Sequence, residues 1–272
     1  MDMKNAVAVL IVTVLALCAL ALAVPGESQP HPSQASKNAQ PVIVELFTSE
    51  GCSSCPPADA LLLKLESSQP VPGANIIAIE EHVDYWNHDG WTDPFSSADW
   101  TYRQTDYVAR FKDKDAFTPQ MIVDGQTQMG GGQLPQVGQA ILQAATLPKT
   151  QVTLTAEDSA PHGDQQFKVH VGNLVGSADR DTAEVWLAIT ESGLESAVGA
   201  GENAGKDLRH ASVLRSLHKI GVASAKGESA FEASTRVKLK SEWKRKNIQV
   251  VVFIQEKKSM RILGAASVGV AS

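Results

Sequence analysis

The run Val42-Ile43-Val44-Glu45-Leu46-Phe47 leads within a few residues into Cys52-Ser53-Ser54-Cys55-Pro56-Pro57. A continuous, β-branched apolar run suits a strand covered on both faces. The two prolines after Cys55 suit the first turn of a helix, where a missing N–H costs nothing. Ala60, Leu61, Leu62, Leu63 and Leu65 supply the buried side of that helix, and Pro70, Pro72 and Gly73 end it. The two cysteines are thereby placed at a strand-to-helix junction. Unpaired N–H groups and the helix dipole favour a thiolate there. Cys52 is the expected exposed, attacking sulfur, and Cys55, one turn inside, the resolving one.

Cysteine usage sharpens this reading. The chain has three cysteines, and Cys18 lies in an N-terminal segment with Lys4, an apolar run from Ala6 to Leu22 and small residues up to Ala23. This is the pattern of a signal peptide over residues 1–23, whose removal leaves no stable membrane span and sends the chain to the periplasm or outside the cell. In such an oxidising compartment the remaining pair tends to close. A four-residue ring stabilises a fold little, because the entropy that a disulfide removes grows with loop length. Residues 24–40, rich in Pro, Ser and Gln, read as a flexible linker. A formal charge of -6, with scattered lysines and arginines, gives no surface for nucleic acid.

Downstream, a second buried strand is expected at Asn75–Glu80, an amphipathic helix from about Ala98 to Phe111, and a hairpin around Asp124-Gly125. A last helix follows over Leu134–Thr146. Past Pro148 come about seven short segments of alternating polarity. The expected organisation is an α/β domain over residues 41–148 and a β-sandwich-like domain over 149–272.

Three segments, Val44-Glu45-Leu46-Phe47, Cys52 to Asp59, and Thr118-Pro119 with the Asp124-Gly125 hairpin, resemble the active-site strand, dithiol helix and cis-proline strand of the thioredoxin superfamily, in the same order. The wider string Glu45 to Cys52, with His82-Val83-Asp84-Tyr85-Trp86, Arg103-Gln104 and Gly201 to His210, resembles an exported bacterial family of unknown function that is itself classed as thioredoxin-like. The resemblance implies a thioredoxin-like α/β fold for the first domain. It implies a cis Pro119 facing the dithiol, with backbone groups of Thr118 on which an extended substrate can pair. It also implies a role for Glu45 as a buried acid beneath the dithiol, accepting a proton from Cys55. On strand alternation alone, Glu45 is equally readable as a solvent-facing residue.

His82, Asp84, Tyr85 and Trp86 begin an aromatic segment at the end of the second strand. That sheet edge faces the ligand crevice in open α/β sheets, which makes the four residues candidates for substrate contact. A satellite core built from Trp86, Trp91, Phe95 and Trp100 is the competing reading. The leading function is thiol–disulfide exchange with protein thiols or disulfides as partners, and no cofactor is required. The alternatives are a binding protein with a structural disulfide, and a periplasmic metal carrier with copper on Cys52, Cys55 and His82.

Overall fold

The computed structural model describes residues 39–157, 164–178, 181–224 and 229–270. The expected signal peptide, and the expected linker up to residue 38, lie outside the described residues. The first strand, β1 (Gln40–Thr48), is followed by helix α1 (Pro56–Ser68) and strand β2 (Ala74–His82). β1 and β2 pair in parallel, with Val44 opposite Ala78 and Thr48 opposite His82. Helix α2 (Ala98–Phe111) is capped by the Ser97 side chain, which accepts from the Asp99 amide.

Strands β3 (Gln120–Val123) and β4 (Thr127–Gly130) form the expected hairpin, and helix α3 (Leu134–Ala145) follows. Asp124 and Gly125 both have positive φ in the three-residue connection 124–126, and the Gln126 amide closes the turn on the Val123 carbonyl at 3.0 Å. A Cβ on Gly125 would lie 1.9 Å from the Met260 carbonyl oxygen, so no other residue fits.

The remaining strands are β5 (Val152–Ala156), β6 (Asp164–Val171), β7 (Ala183–Glu191), β8 (Leu194–Ala197), β9 (Asp207–His210), β10 (Val213–Ala223), β11 (Phe231–Lys238), β12 (Ile248–Glu256) and β13 (Ile262–Gly269). Their arrangement overturns the expected fold class of a thioredoxin-like α/β domain followed by an all-β sandwich. One mixed eight-stranded sheet has the order β13-β12-β7-β10-β2-β1-β3-β4 and draws strands from both halves of the chain. The join is the parallel contact of β10 with β2, where Val213 faces Glu80. Among the described residues the chain is mostly strand, with three α-helices.

The physical cause lies at the outer edge of β2, which a separate first domain would leave to solvent. Here β10 occupies it, and the Glu80 amide donates to the Ser212 carbonyl at 2.9 Å. No local periodicity encodes a pairing partner so distant in sequence.

One face of the large sheet carries a continuous apolar layer of Ile43, Ile77, Ile79, Ala188, Leu214, Val251 and Phe253 against Trp100 of α2. The opposite face is covered in two parts. Helices α1 and α3 pack Leu61, Leu62, Leu65, Val137 and Ile141 on Val42, Val44, Leu46, Ile76 and Ala78. A three-stranded sheet, β11-β6-β5, packs Phe167, Val169 and Val171 on Val185, Leu187, Val250 and Val252. The β8–β9 hairpin stands beside α1, and the hydroxyls of Ser192 and Ser212 donate to Glu66 of that helix.

Candidate functional site

Cys52 and Cys55 are joined as a disulfide in the turn between β1 and α1, with Cα atoms 5.4 Å apart. The expected exposure of Cys52 is not found. Cys52 is 1% and Cys55 0% exposed, while Ser53 and Ser54 between them face solvent. Prolines occupy the first two helical positions of α1. They remove the two leading N–H donors that would otherwise face a thiolate. The Ser54 hydroxyl lies 3.4 Å from Cys52 Sγ. A disulfide sulfur carries no proton, so the hydroxyl is the donor.

Two segments cover this turn. In the aromatic segment, the Trp86 carbonyl stands so close to Gly51 that a Cβ there would be 2.7 Å away. The Trp86 indole N–H reaches Thr118 Oγ1 at 2.8 Å. Residues 198–206, between β8 and β9, form the second cover. The Asn203 amide donates to the carbonyls of Glu50 (2.8 Å) and Cys52 (2.9 Å), and Glu202 accepts from the Ser53 amide at 3.0 Å. The two covers meet where Gly199 and Gly201 pack on Trp91.

A buried histidine–carboxylate cluster adjoins the dithiol turn. On β2, Glu80 and His82 share the sheet face of Ile76 and Ala78, the side on which α1 packs. His82 Nδ1 lies 2.7 Å from Asp93 Oδ2. His210, at the end of β9, places Nδ1 2.9 Å from Glu80 Oε1 and Nε2 3.1 Å from Glu50 Oε1. Trp91 Nε1 donates to the other Glu50 oxygen at 2.9 Å, and the Glu50 amide donates to Asp93 Oδ2 at 2.8 Å.

Charge pairing governs ionisation in this cluster. Burial raises the Glu80 carboxyl, but His210 and His82 outweigh it and hold the group at about 2. Burial lowers His210, yet Glu80 and Glu50 lift it to about 9. His82 is likewise depressed by burial and carried well above its ordinary value by Asp93 and Glu80. On α1, Asp59 follows Cys55 by one turn and accepts from the Thr48 hydroxyl at 2.6 Å. Burial and the charge of Glu80 raise its carboxyl to about 7, against the pull of His210.

The sequence-derived candidates divide between the two sheet faces. His82 lies in the cluster beside the dithiol turn, and Trp86 touches that turn directly. The Thr118–Pro119 peptide is cis and immediately precedes β3, with Thr118 tied to Trp86. Asp84 accepts from the Thr101 hydroxyl at 2.6 Å and so anchors α2. Tyr85 donates to Gln104 at 3.1 Å and is 40% exposed.

Glu45 is neither solvent-facing nor beneath the dithiol. It is fully buried on the α2 face of the sheet, paired with Arg103 and accepting from the Tyr107 hydroxyl. Arg103 also reaches Glu81 at 3.3 Å and Gln255 at 3.1 Å. A cleft of about 1070 Å³ opens on this same face beside Trp100, Trp186 and Trp243, and none of the sequence-derived candidates lines it.

Glu50, Asp59, Asn203, Glu202 and His210 belong to the site and were not singled out individually from the sequence. A signal existed for all five, since Glu50, Asp59, Glu202, Asn203 and His210 fall in the strings that carry the two resemblances, although no chemistry attached to any of them.

The protein AGR_C_4864 of Agrobacterium tumefaciens is 23% identical, with a TM-score of 0.62 over 86% of this chain and 96% of that one. HBP35 of Porphyromonas gingivalis is 14% identical, with a TM-score of 0.62 over 85% of this chain and 76% of that one. At these identities the likeness is one of fold. No curated protein matches the chain. Residues 43–255 match the family described as protein of unknown function (DUF1223), and the chain belongs to that family.

Proposed function

We propose that the protein is an extracytoplasmic thiol–disulfide exchange protein whose working group is Cys52–Cys55. The observation that carries this reading is the closed dithiol at a strand-to-helix turn, with an acid of near-neutral pKa one helical turn beyond Cys55. The architecture is not that of a thioredoxin-like α/β domain, and the proposal rests on the dithiol turn itself.

In the exchange, a partner thiolate attacks Cys52 Sγ, the bond between the two cysteines breaks, and Cys55 leaves as a thiolate. Asp59, half protonated near neutral pH, is placed by the helical repeat on the same face as Cys55 and supplies the proton. A second partner thiolate then attacks the mixed disulfide and releases Cys52. The partner is oxidised by two electrons and the protein holds a dithiol. Run in reverse, the same steps reduce a partner disulfide.

Because Cys52 is covered, exchange requires the cover formed by Trp86 or by residues 202–203 to move. Tyr85 and Phe117, 40% and 39% exposed, flank the Trp86–Thr118 contact and offer an apolar surface to an arriving polypeptide.

Cys55→Ser tests this reading in the exporting cell. A working exchange protein accumulates covalent adducts through Cys52 that a reductant releases. The burial of both cysteines supports a second reading, a permanent structural disulfide. That reading requires no adducts and a reduction potential below about -300 mV.

A further inference from the structure

We infer that Glu80, His82 and His210 form a binding site for one divalent transition-metal ion of the zinc or cobalt class, separate from the dithiol. Their ligand atoms all lie within 4.8 Å of one another, and all three residues are buried.

The case rests on how the two imidazoles are held. Each has one ring nitrogen fixed by an outer carboxylate and the other turned toward Glu80 Oε1. In His82, Nδ1 is fixed by Asp93 at 2.7 Å, and Nε2 stands 3.5 Å from Glu80 Oε1. In His210, Nε2 is fixed by Glu50 at 3.1 Å, and Nδ1 stands 2.9 Å from the same Glu80 oxygen. Carboxylate–histidine pairs of this kind orient metal-bound imidazoles and set which nitrogen faces the ion. Here the arrangement occurs twice, around one point. The outer carboxylates are themselves held, Glu50 by the Trp91 indole and Asp93 by the amides of Glu50 and Phe95.

A second observation points to a ligand. His82 is fully buried, yet its Nε2 makes no hydrogen bond. A buried ring nitrogen held only by a long ion pair, here to Glu80 Oε1 at 3.5 Å, is under-satisfied, and it lies within 4.8 Å of the other two donor atoms. In a tetrahedral zinc site with nitrogen and oxygen ligands, the donor atoms sit about 3.3 Å apart. The two separations to Glu80 Oε1, 3.5 and 2.9 Å, bracket that spacing, and the two histidine nitrogens lie within 4.8 Å of each other, a gap that side-chain rotation closes. Two imidazoles and a carboxylate match borderline divalent ions better than hard calcium or magnesium. Three protein ligands also leave a coordination position for water or a substrate atom.

The test uses the full chain with its disulfide closed, so that Cys52 and Cys55 cannot ligate, and with Cys18 replaced by serine where that segment is retained, titrated with cobalt(II). One equivalent should bind with a visible d–d spectrum of tetrahedral type, and zinc(II) should displace it. His82→Gln and His210→Gln should each weaken binding at least about tenfold, consistent with loss of one of three ligands. The double variant Cys52→Ser/Cys55→Ser should bind like the parent. Should the histidine variants fail to fold, imidazole ¹⁵N shifts of the parent protein on zinc addition answer the same question. His82 and His210 should move, and His88, His170 and His218 should not. Absence of saturable binding, binding that survives both histidine changes, or binding lost with the cysteines would overturn the assignment. The last result would tie metal binding to the closed turn of Cys52 and Cys55 while leaving thiol exchange open. Failure of adduct trapping by Cys55→Ser leaves this metal site untouched.

Discussion

The side-chain amide of Asn203 donates to the backbone carbonyls of Glu50 and Cys52, 153 and 151 positions earlier in the chain, and so fastens the loop between β8 and β9 across the dithiol turn. Asn203 is fully buried, and it is a second donor to the Cys52 carbonyl beside the Cys55 amide at 3.2 Å. Asn203→Ala leaves both carbonyls without that donor, which costs about 1–3 kcal/mol. It also loosens the cover over Cys52. In reduced protein the rate of Cys52 alkylation should rise several-fold, measured beside the urea midpoint. An unchanged rate in a destabilised variant would mean that this loop does not gate the sulfur.

Asp59 sets a pH dependence of definite sign. Its carboxyl is raised from 3.8 to about 7 by burial and by Glu80, with His210 and His82 opposing. Between those values the folded chain holds a proton that the unfolded chain has released. The contribution to stability is therefore full below about pH 4 and lost as pH rises through about 7. At most about 4 kcal/mol is involved. Asp59→Asn, which keeps an acceptor for Thr48, should gain stability relative to the parent as pH rises across this window, with the difference constant above it. Urea unfolding of metal-free protein from about pH 4 to about pH 8 measures it. A difference independent of pH would place the Asp59 carboxyl in its ordinary range.

Ser54 is the side-chain donor to Cys52 Sγ, at 3.4 Å, and the prolines at the start of α1 withhold the backbone donors that usually share this work. Ser54→Ala should raise the Cys52 thiol pKa by about one unit in reduced protein. Ser53→Ala should not, since the bonds of Ser53 go to Glu202 and not to Cys52 Sγ. The pH dependence of Cys52 alkylation separates the two. Equal effects of both changes would point to loop order as the cause in place of the hydroxyl.

What could be read from the sequence follows the range of the interactions. β1, α1 and the Asp124-Gly125 hairpin are specified by residues a few positions apart, and the structure places them where periodicity and turn chemistry put them. The contact of Glu80 with Val213, which makes one sheet of the two halves, joins residues 133 positions apart and leaves no local trace. The site divides in the same way. Cys52, Cys55 and His82 stood out by type and spacing, whereas Glu50 and Asp59 are ordinary acids in sequence until His210 and Glu80 arrive beside them. Glu45 misled because an acid in an apolar strand has two faces to choose from, and only Arg103 on α2 decides between them.

That choice yields the last prediction. Arg103 is the cation that Glu45 and Glu81 share, and burial drives the Glu81 carboxyl well above its ordinary range against the pull of Arg103. Arg103→Met removes the cation and leaves two buried acids facing each other, a loss of about 3–5 kcal/mol. Adding Glu45→Gln should restore part of that loss, because one of the opposed acids can no longer ionise, and a double-mutant cycle measures the coupling. Neither change should move the Cys52 pKa, since the whole group lies across the sheet from α1 and the dithiol. A Cys52 titration displaced by Glu45→Gln alone would connect the two faces electrostatically and return Glu45 to the redox site.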